Sequence, residues 1–239
     1  MTNIQPYTFQ SCLKLTAITV DALNPAYSSL GGVLFDKNQT LLLQFPAGLG
    51  GSYAITDSVI SIAPGAFMMC AGISSVTTPK SVTQIGDYTF YGCTFHSVTI
   101  PSSVTNLGTN AFFNPSSPYI ATVFFGGNAP AIASSSVFNS NTRLYYLPET
   151  TGWGATLGGA PTKLWNPQAQ TADGSFGLRT NKFGFNVTGT TNIPIVVEAS
   201  TNLINWQPVQ TNTLATGTAY FSDPKWTNYR TRYYRFRSP

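Results

Sequence analysis

The sequence predicts a mainly β chain in which a repeat solenoid is followed by a small antiparallel β-sandwich. The first observation is a repeat: within residues 56–127, the segments TDSVISIAPGAFMMCAGISSVTTP, KSVTQIGDYTFYGCTFHSVTIP and SSVTNLGTNAFFNPSSPYIATVFFGG share one layout. Aligning them puts Val59, Val82 and Val104 in one column, Ile62, Ile85 and Leu107 in a second, and Phe67, Phe90 and Phe112 in a third, at spacings of 23 and then 22 residues. A unit this short supplies too little apolar surface to bury alone and is stable only when stacked on its neighbours. The second observation is that the period stops after residue 170 and alternating β patterns replace it. The third is charge: only 8% of residues are Asp, Glu, Lys or Arg, against roughly 25% in an average soluble domain.

With so few charges, the surface must be coated by Ser, Thr, Asn, Gln and Gly, a composition expected of a secreted or cell-surface protein. No stretch approaches the roughly 18 apolar residues of a membrane-spanning helix, and no signal peptide is visible in this chain. At 239 residues with 42% apolar side chains, one large or two modest domains can each bury a core. The expected division is a solenoid over 1–148, a cap and linker over 149–170, and a β-sandwich module over 171–239.

Taken in order, residues 1–24 read as a worn repeat turn, in which Ile4, Phe9, Cys12, Leu15, Ile18 and Val20 match the Ile, Phe, Cys and strand positions of the later turns. Terminal turns of a solenoid normally carry a polar cap, and these residues show none, so an open edge is expected there, covered by upstream sequence or by another surface. Residues 25–55 break the period. Two β-rich runs, Val33 to Phe35 and Leu41 to Phe45, flank the turn-forming tetrapeptide Asp36-Lys37-Asn38-Gln39, which predicts a hairpin inserted between turns.

In the three clear turns, β-branched residues favour the extended runs. Pro79, Pro101, Gly86 and Gly108 end them. The bend around each column Phe is too short for an independent helix and needs packing to hold it. Phe138 and Leu144 to Pro148 read as a last, compressed turn, with Trp153 and Trp165 as apolar plugs of a Gly- and Pro-rich cap. Beyond 170, the runs Phe183 to Val187, Ile195 to Ala199, Trp206 to Val209, Ala219 to Ser222 and Arg232 to Phe236 predict five or more strands separated by turn signals, which is the pattern of a small antiparallel sandwich.

The repeat columns, IxxxxFxxCxxxxxVxxP followed by SVxxIG or SVxxLG, resemble the bacterial surface-antigen (BspA-like) class of leucine-rich repeats. The residues carrying the likeness are Phe67 and Cys70, Phe90 and Cys93, and the pairs Ser58-Val59, Ser81-Val82 and Ser103-Val104. It weakens at Asn114-Pro115, where the cysteine is lost. The tail, with VVEASTNLINWQPV and TRYYRFRSP, resembles a β module at the ends of exported proteins of environmental bacteria. The first resemblance implies a leucine-rich-repeat solenoid and an extracellular or cell-surface binding or adhesion protein, and it brings no catalytic residue with it.

The residues give no enzyme signature. His96 is the only histidine, with no GxSxG elbow to complete a nucleophilic triad. The eight acidic residues are scattered, and neither a phosphate-cradling glycine loop nor a calcium-loop ligand series is present. Cys12, Cys70 and Cys93 fall in one column, three residues after Phe9, Phe67 and Phe90, which reads as small buried hydrophobes rather than metal ligands. No cofactor, metal or catalytic residue is expected.

Charge is uneven. Residues 1–170 hold five basic and five acidic groups, whereas seven basic residues face three acidic ones after 170. Alternation in the segment RTRYYRFR makes an amphipathic terminal strand with a cationic outer face, so nucleic acid is not an expected partner. The expected function is recognition of a protein or polysaccharide through the repeat surface, with Tyr88, Tyr91, Phe113, Tyr119 and Trp153 as candidate aromatic contacts. The alternative is a structural homo-oligomer that forms head-to-tail filaments through the open edge and the C-terminal module.

Overall fold

The structure is a computed structural model that describes residues 3–116, 120 and 122–238. The chain divides into two compact units, Met1–Lys163 and Leu164–Pro239. The first unit begins with three antiparallel strands, β1 (Tyr27–Leu30), β2 (Val33–Asp36) and β3 (Leu41–Gln44). Long and short strands then alternate: β4 (Gly51–Ala54), β5 (Ser61–Ile62), β6 (Ile73–Thr77), β7 (Gln84–Ile85), β8 (Ser97–Ile100), β9 (Asn106–Leu107), β10 (Thr122–Phe125), β11 (Ala131–Ile132) and β12 (Arg143–Tyr146). Short strands pair in parallel from β3 through β5, β7, β9 and β11, and the long strands β8, β10 and β12 do the same on another side of the stack. The result is a solenoid of leucine-rich-repeat type.

Each strand contributes its inward column to the core. Val59, Val82 and Val104 are buried, as are Ile62, Ile85 and Leu107. The aromatic column is longer than the repeat predicts: Phe45, Phe67, Phe90, Phe112 and Phe138 stack face to face, with ring centroids 5.0 to 5.3 Å apart and interplanar angles of 15 to 24°. Backbone rungs follow the same path. The amides of Phe45, Phe67, Phe90 and Phe112 donate to the carbonyls of Ala66, Thr89, Ala111 and Val137, each the residue before the next column Phe.

The cysteine column is a set of polar rungs. The Cys93 thiol donates to the Phe67 carbonyl at 3.0 Å, and Cys70 reaches the Phe45 carbonyl at 3.8 Å. Burial pushes the Cys70 thiol up to about 12 and raises Cys93 well above its usual value, so both remain neutral. Where the cysteine is lost, Asn114 takes over: its side-chain amide donates to Cys93 O, and its backbone exchanges hydrogen bonds with the Asn139 side chain.

The N-terminal region departs from the sequence reading in two ways. Residues 3–24 contain no strand, and Cys12 is exposed rather than buried. The bend itself is kept: Tyr7 and Ser11 have φ of 65°, and the residues two before and two after Phe67 and Phe90 (Gly65 and Met69, Tyr88 and Gly92) are also left-handed. Cys12 is exposed because no buried strand follows it to complete a turn. The predicted hairpin of β2 and β3 is present, but it is not inserted between turns. The strands β1 and β2 lie beyond β3 at the end of the parallel sheet, so the hairpin closes the end of that sheet. At the other end, β13 (Thr156–Leu157) and β14 (Ala160–Leu164) extend the sheet of β12, and the amide of Phe138 donates to Gly158 O.

The second unit contains β15 (Gln168–Ala169), β16 (Gly177–Arg179), β17 (Lys182–Thr188), β18 (Pro194–Ser200), β19 (Gln207–Thr213), β20 (Thr218–Asp223) and β21 (Tyr233–Arg237), with a single 3₁₀ turn at Trp226–Asn228. All its pairings are antiparallel. One sheet joins β15, β16 and β20 to β17, and the other has the order β19-β18-β21. Their inner faces meet through aromatic rings: Phe183 stacks on Tyr234 at 5.4 Å, and Phe185 contacts Phe221, Tyr234 and Phe236. The segment expected to be cap and linker is shared between the units: β13 and β14 finish the solenoid, whereas the Trp165 indole donates to Pro194 O and β15 pairs with β17.

Because each column ring stacks on two neighbours, loss of a central one removes packing in both directions. Phe90→Ala is expected to lower unfolding free energy by about 3–5 kcal/mol, and Phe138→Ala by less, since Phe138 stacks on a single ring of the column. Urea unfolding followed by tryptophan fluorescence and circular dichroism measures both.

Candidate functional site at the repeat bends

Each bend buries its column Phe and turns the next side chain outward. Tyr91 and Phe113 follow Phe90 and Phe112 directly, are half-buried, and lie one over the other with centroids 6.2 Å apart and 25° between planes. Tyr88 stands two residues before Phe90 in a left-handed conformation, φ 56°, which aims its ring at the edge of Tyr91, 5.5 Å away. Tyr7 of the N-terminal segment completes the row at 6.3 Å from Tyr88. Its side chain lies where a Cβ on Gly65 would stand, so that glycine makes room for the ring. Burial first, then the charge of Asp87 and the neighbouring Tyr88, raise the Tyr7 phenol pKa above its ordinary value. The four rings form one surface row that crosses the turns, half-covered and rigidly spaced.

Beside this row runs a groove of about 450 Å³, with Met69, Gly92 and Asn114 on its floor and Leu13 and Thr94 among its walls. These floor residues occupy the position two after the column Phe in three successive turns. A side chain at Gly92 would run into the Met69 thioether, so the glycine keeps the groove open.

Of the residues picked from sequence, the structure therefore brings Tyr88, Tyr91 and Phe113 together. Trp153 is elsewhere: half-buried, it stacks on Tyr146 at 4.9 Å and 6° and packs edge-on against Phe125, as part of the solenoid core. Tyr119 lies outside the described residues. His96 is exposed, and its carbonyl accepts from Thr122 N.

A second concave face was missed by sequence reasoning. Ser61, Gln84 and Asn106, each one residue before the buried Ile or Leu column, face outward on β5, β7 and β9 and line a channel of about 460 Å³. The alternation of a strand was the available signal. Gly86 and Gly108 border the channel, and a Cβ on Gly108 would collide with Asp87, whose carboxylate accepts from Thr109 N at 2.6 Å.

The basic terminal strand resolves into ion pairs. Glu198, 5% exposed, accepts from Arg235 Nε at 2.8 Å and Arg237 Nε at 2.5 Å, and Arg235 also lies over the Trp206 ring at 4.3 Å. Asp223, 1% exposed, pairs with Arg232 at 2.6 Å and accepts from the Tyr234 hydroxyl. Burial acts to raise the Glu198 pKa, but the hydrogen bonds and charges of Arg237 and Arg235 outweigh it and hold the carboxyl below its ordinary value. The outer face of the strand is therefore largely neutralised from within the unit.

Residues 51–152 match the BspA type leucine-rich repeat region in six copies, and the repeats of this chain are of that type. A leucine-rich repeat protein from Eubacterium ventriosum is similar in structure, with a TM-score of 0.51 and 24% identity over 62% of this chain and 39% of that one. The chain thus spans well under half of that protein's length. The pneumococcal vaccine antigen PcpA aligns at a TM-score of 0.37 and 15% identity, over 56% of this chain and 45% of that one. No curated protein matches significantly. The family match stops at residue 152, before the second unit. No helix among the described residues is long and apolar enough to cross a membrane.

The depressed Glu198 pKa gives a signed prediction. A carboxyl held below its unfolded value of about 4.5 contributes stability that is present above that pH and is lost as pH falls through the folded pKa. The C-terminal unit should therefore lose stability as pH drops below about 4.5, and Glu198→Gln should remove that part of the pH dependence while costing about 1–2 kcal/mol at pH 7, both arginines being half exposed. Thermal melts across pH 3–7 measure it. A variant whose pH profile parallels the wild type would refute the assignment.

Proposed function

We propose that this chain is a non-catalytic recognition protein of the cell exterior, which binds an extended polypeptide or polysaccharide across its repeat bends. The observation that carries this reading is the row Tyr7, Tyr88, Tyr91 and Phe113, held at spacings of 5.5 to 6.3 Å over stacked turns. Half-covered aromatic rings offer large apolar contact at low entropic cost, and the phenol groups add hydrogen bonding at the rim. The groove beside the row is lined by apolar Met69 and polar Thr94 and Asn114, which suits a ligand with alternating apolar and polar faces. The BspA-type repeats and the low charge content support a secreted or cell-surface location.

The test is a glycan array together with pull-downs of extracellular proteins, repeated with Tyr88→Asn, Tyr91→Ala and Phe113→Ala. Asn is used at position 88 because it tolerates the left-handed backbone there. Each change is expected to weaken binding by roughly three- to tenfold, and the triple variant to abolish it while keeping the wild-type circular dichroism spectrum and a cooperative, somewhat lower melt. Binding that survives the triple variant would sink the proposal.

The N-terminal end supports a second reading, end-on self-assembly. The strand β1 is the last strand of its sheet; Ile18 N donates to Gly32 O and Val20 N to Ser29 Oγ alongside it, and Leu30 of β1 and Leu23 stand exposed at 48% and 91%. Exposed leucines at the end of a stack offer an apolar contact to another copy. Light scattering at rising concentration should then show growth that Leu30→Lys suppresses. A monodisperse monomer at every concentration would exclude it.

A further inference from the structure

We infer that the outer face of the sheet formed by β16, β17 and β20 is a binding site for an anionic polysaccharide, separate from the repeat bends and independent of that reading. Arg179 and Lys182 are directly opposed across the β16–β17 hairpin, whose two-residue turn, Thr180 and Asn181, has φ of 49° and 59°. Like charges at opposed positions destabilise a strand pair, and a ligand of opposite sign converts that cost into affinity. Both side chains are exposed and, together with Tyr220 and Ser222 of β20, line a cleft of about 580 Å³.

Among the described residues, the unit has no carboxylate that pairs with either cation. Its three carboxylates are committed elsewhere: Glu198 to Arg235 and Arg237, Asp223 to Arg232, and Asp173 to the amide and hydroxyl of Ser175 and the side chain of Asn186. One guanidinium nitrogen of Arg179 donates to Gly174 O, which fixes the fork and leaves its other donors free. The turn is held by the Trp226 indole donating to Asn181 O, so the two cations are presented on a tethered hairpin.

The floor favours a sugar over a bare ion. Tyr220 lies across Gly184, where any side chain would collide with the phenol, so the ring covers the strand and is 42% exposed. A flat aromatic ring next to an arginine fork and a lysine, with Ser222 and Thr180 at the margin, matches a ring sugar bearing a carboxylate or sulfate: the ring stacks, the fork and ammonium take the charge, and the hydroxyls meet sugar hydroxyls. The cleft is open and shallow, as a site along a polymer requires.

The experiment is affinity electrophoresis of the full chain in gels containing polygalacturonate, dextran sulfate or neutral dextran, at pH 7 and increasing sodium chloride. The expected result is retardation by both anionic polymers but not by dextran, weakening with salt. Arg179→Gln/Lys182→Gln should lose at least tenfold in affinity, and Tyr220→Ala should weaken binding severalfold. Lys14→Gln/Lys80→Gln, which removes the same net charge from exposed positions in the solenoid, should bind as the wild type does. The Arg179/Lys182 double variant should melt at the same temperature as the wild type or higher, because it relieves repulsion. Undiminished binding by that variant, an equal loss in the Lys14/Lys80 control, or a lower melting temperature would overturn the inference. So would tighter binding of a single-stranded oligonucleotide through the same two residues.

Discussion

The solenoid depends on face-to-face stacking of one aromatic column. Phe45, Phe67, Phe90, Phe112 and Phe138 are all fully buried or nearly so, and each ring sits about one inter-strand spacing from the next. The short strands are only two residues long and fix little register by themselves. A ring that must overlap both neighbours fixes it instead, because displacement along the strand removes stacking above and below at once. Aromatic pairs of this kind contribute about 0.5–1.5 kcal/mol beyond their buried area, so the column acts as a continuous spine.

That spine dictates what the bends can do. To bury the Phe, the chain reverses within a few residues, with left-handed residues two before and two after Phe67 and Phe90 and two before Phe112. The residue directly after the Phe is driven outward, where Met68, Tyr91 and Phe113 stand in successive turns. The surface row is thus the outer image of the inner one, with the same repeat. The polar rungs complete the arrangement: thiols and then Asn114 donate to carbonyls of neighbouring turns, so in a chain poor in charged residues these buried carbonyls are met by neutral donors.

Most of this architecture is legible in the sequence because columns are a local property. The Val, Ile and Phe positions and five of the seven strands of the second unit follow from spacing and alternation alone. Phe45 lies 22 residues before Phe67 but is masked as a column member, because Leu42, which pairs with Ile62, precedes it by three residues where the later turns have five. Cys12 misled in the opposite direction: its spacing from Phe9 fits, but burial needs a following strand that residues 13–24 do not form. Tyr88, Tyr91 and Phe113 were legible for the reason that the spine was. The pairing of Arg235 and Arg237 with Glu198 spans 37 and 39 residues and depends on β18 lying beside β21, which no local pattern encodes.

The same long-range pairing changes what the net charge means. Read along the chain, the excess of cations gathers in the last strand and makes that strand the natural place to look for an anionic partner. In the folded unit, two buried carboxylates take up three of those arginines; of the cations that remain, Arg179 and Lys182 are opposed across a hairpin, which is inconspicuous in sequence because Thr180 and Asn181 separate them. Charge that stabilises a fold is spent on partners within it. Charge that repels its own neighbour across a hairpin lowers stability, and an anion between the two groups reverses the sign of that term. The free cations of a fold, not its total, therefore locate the surface on which an anionic ligand gains the most.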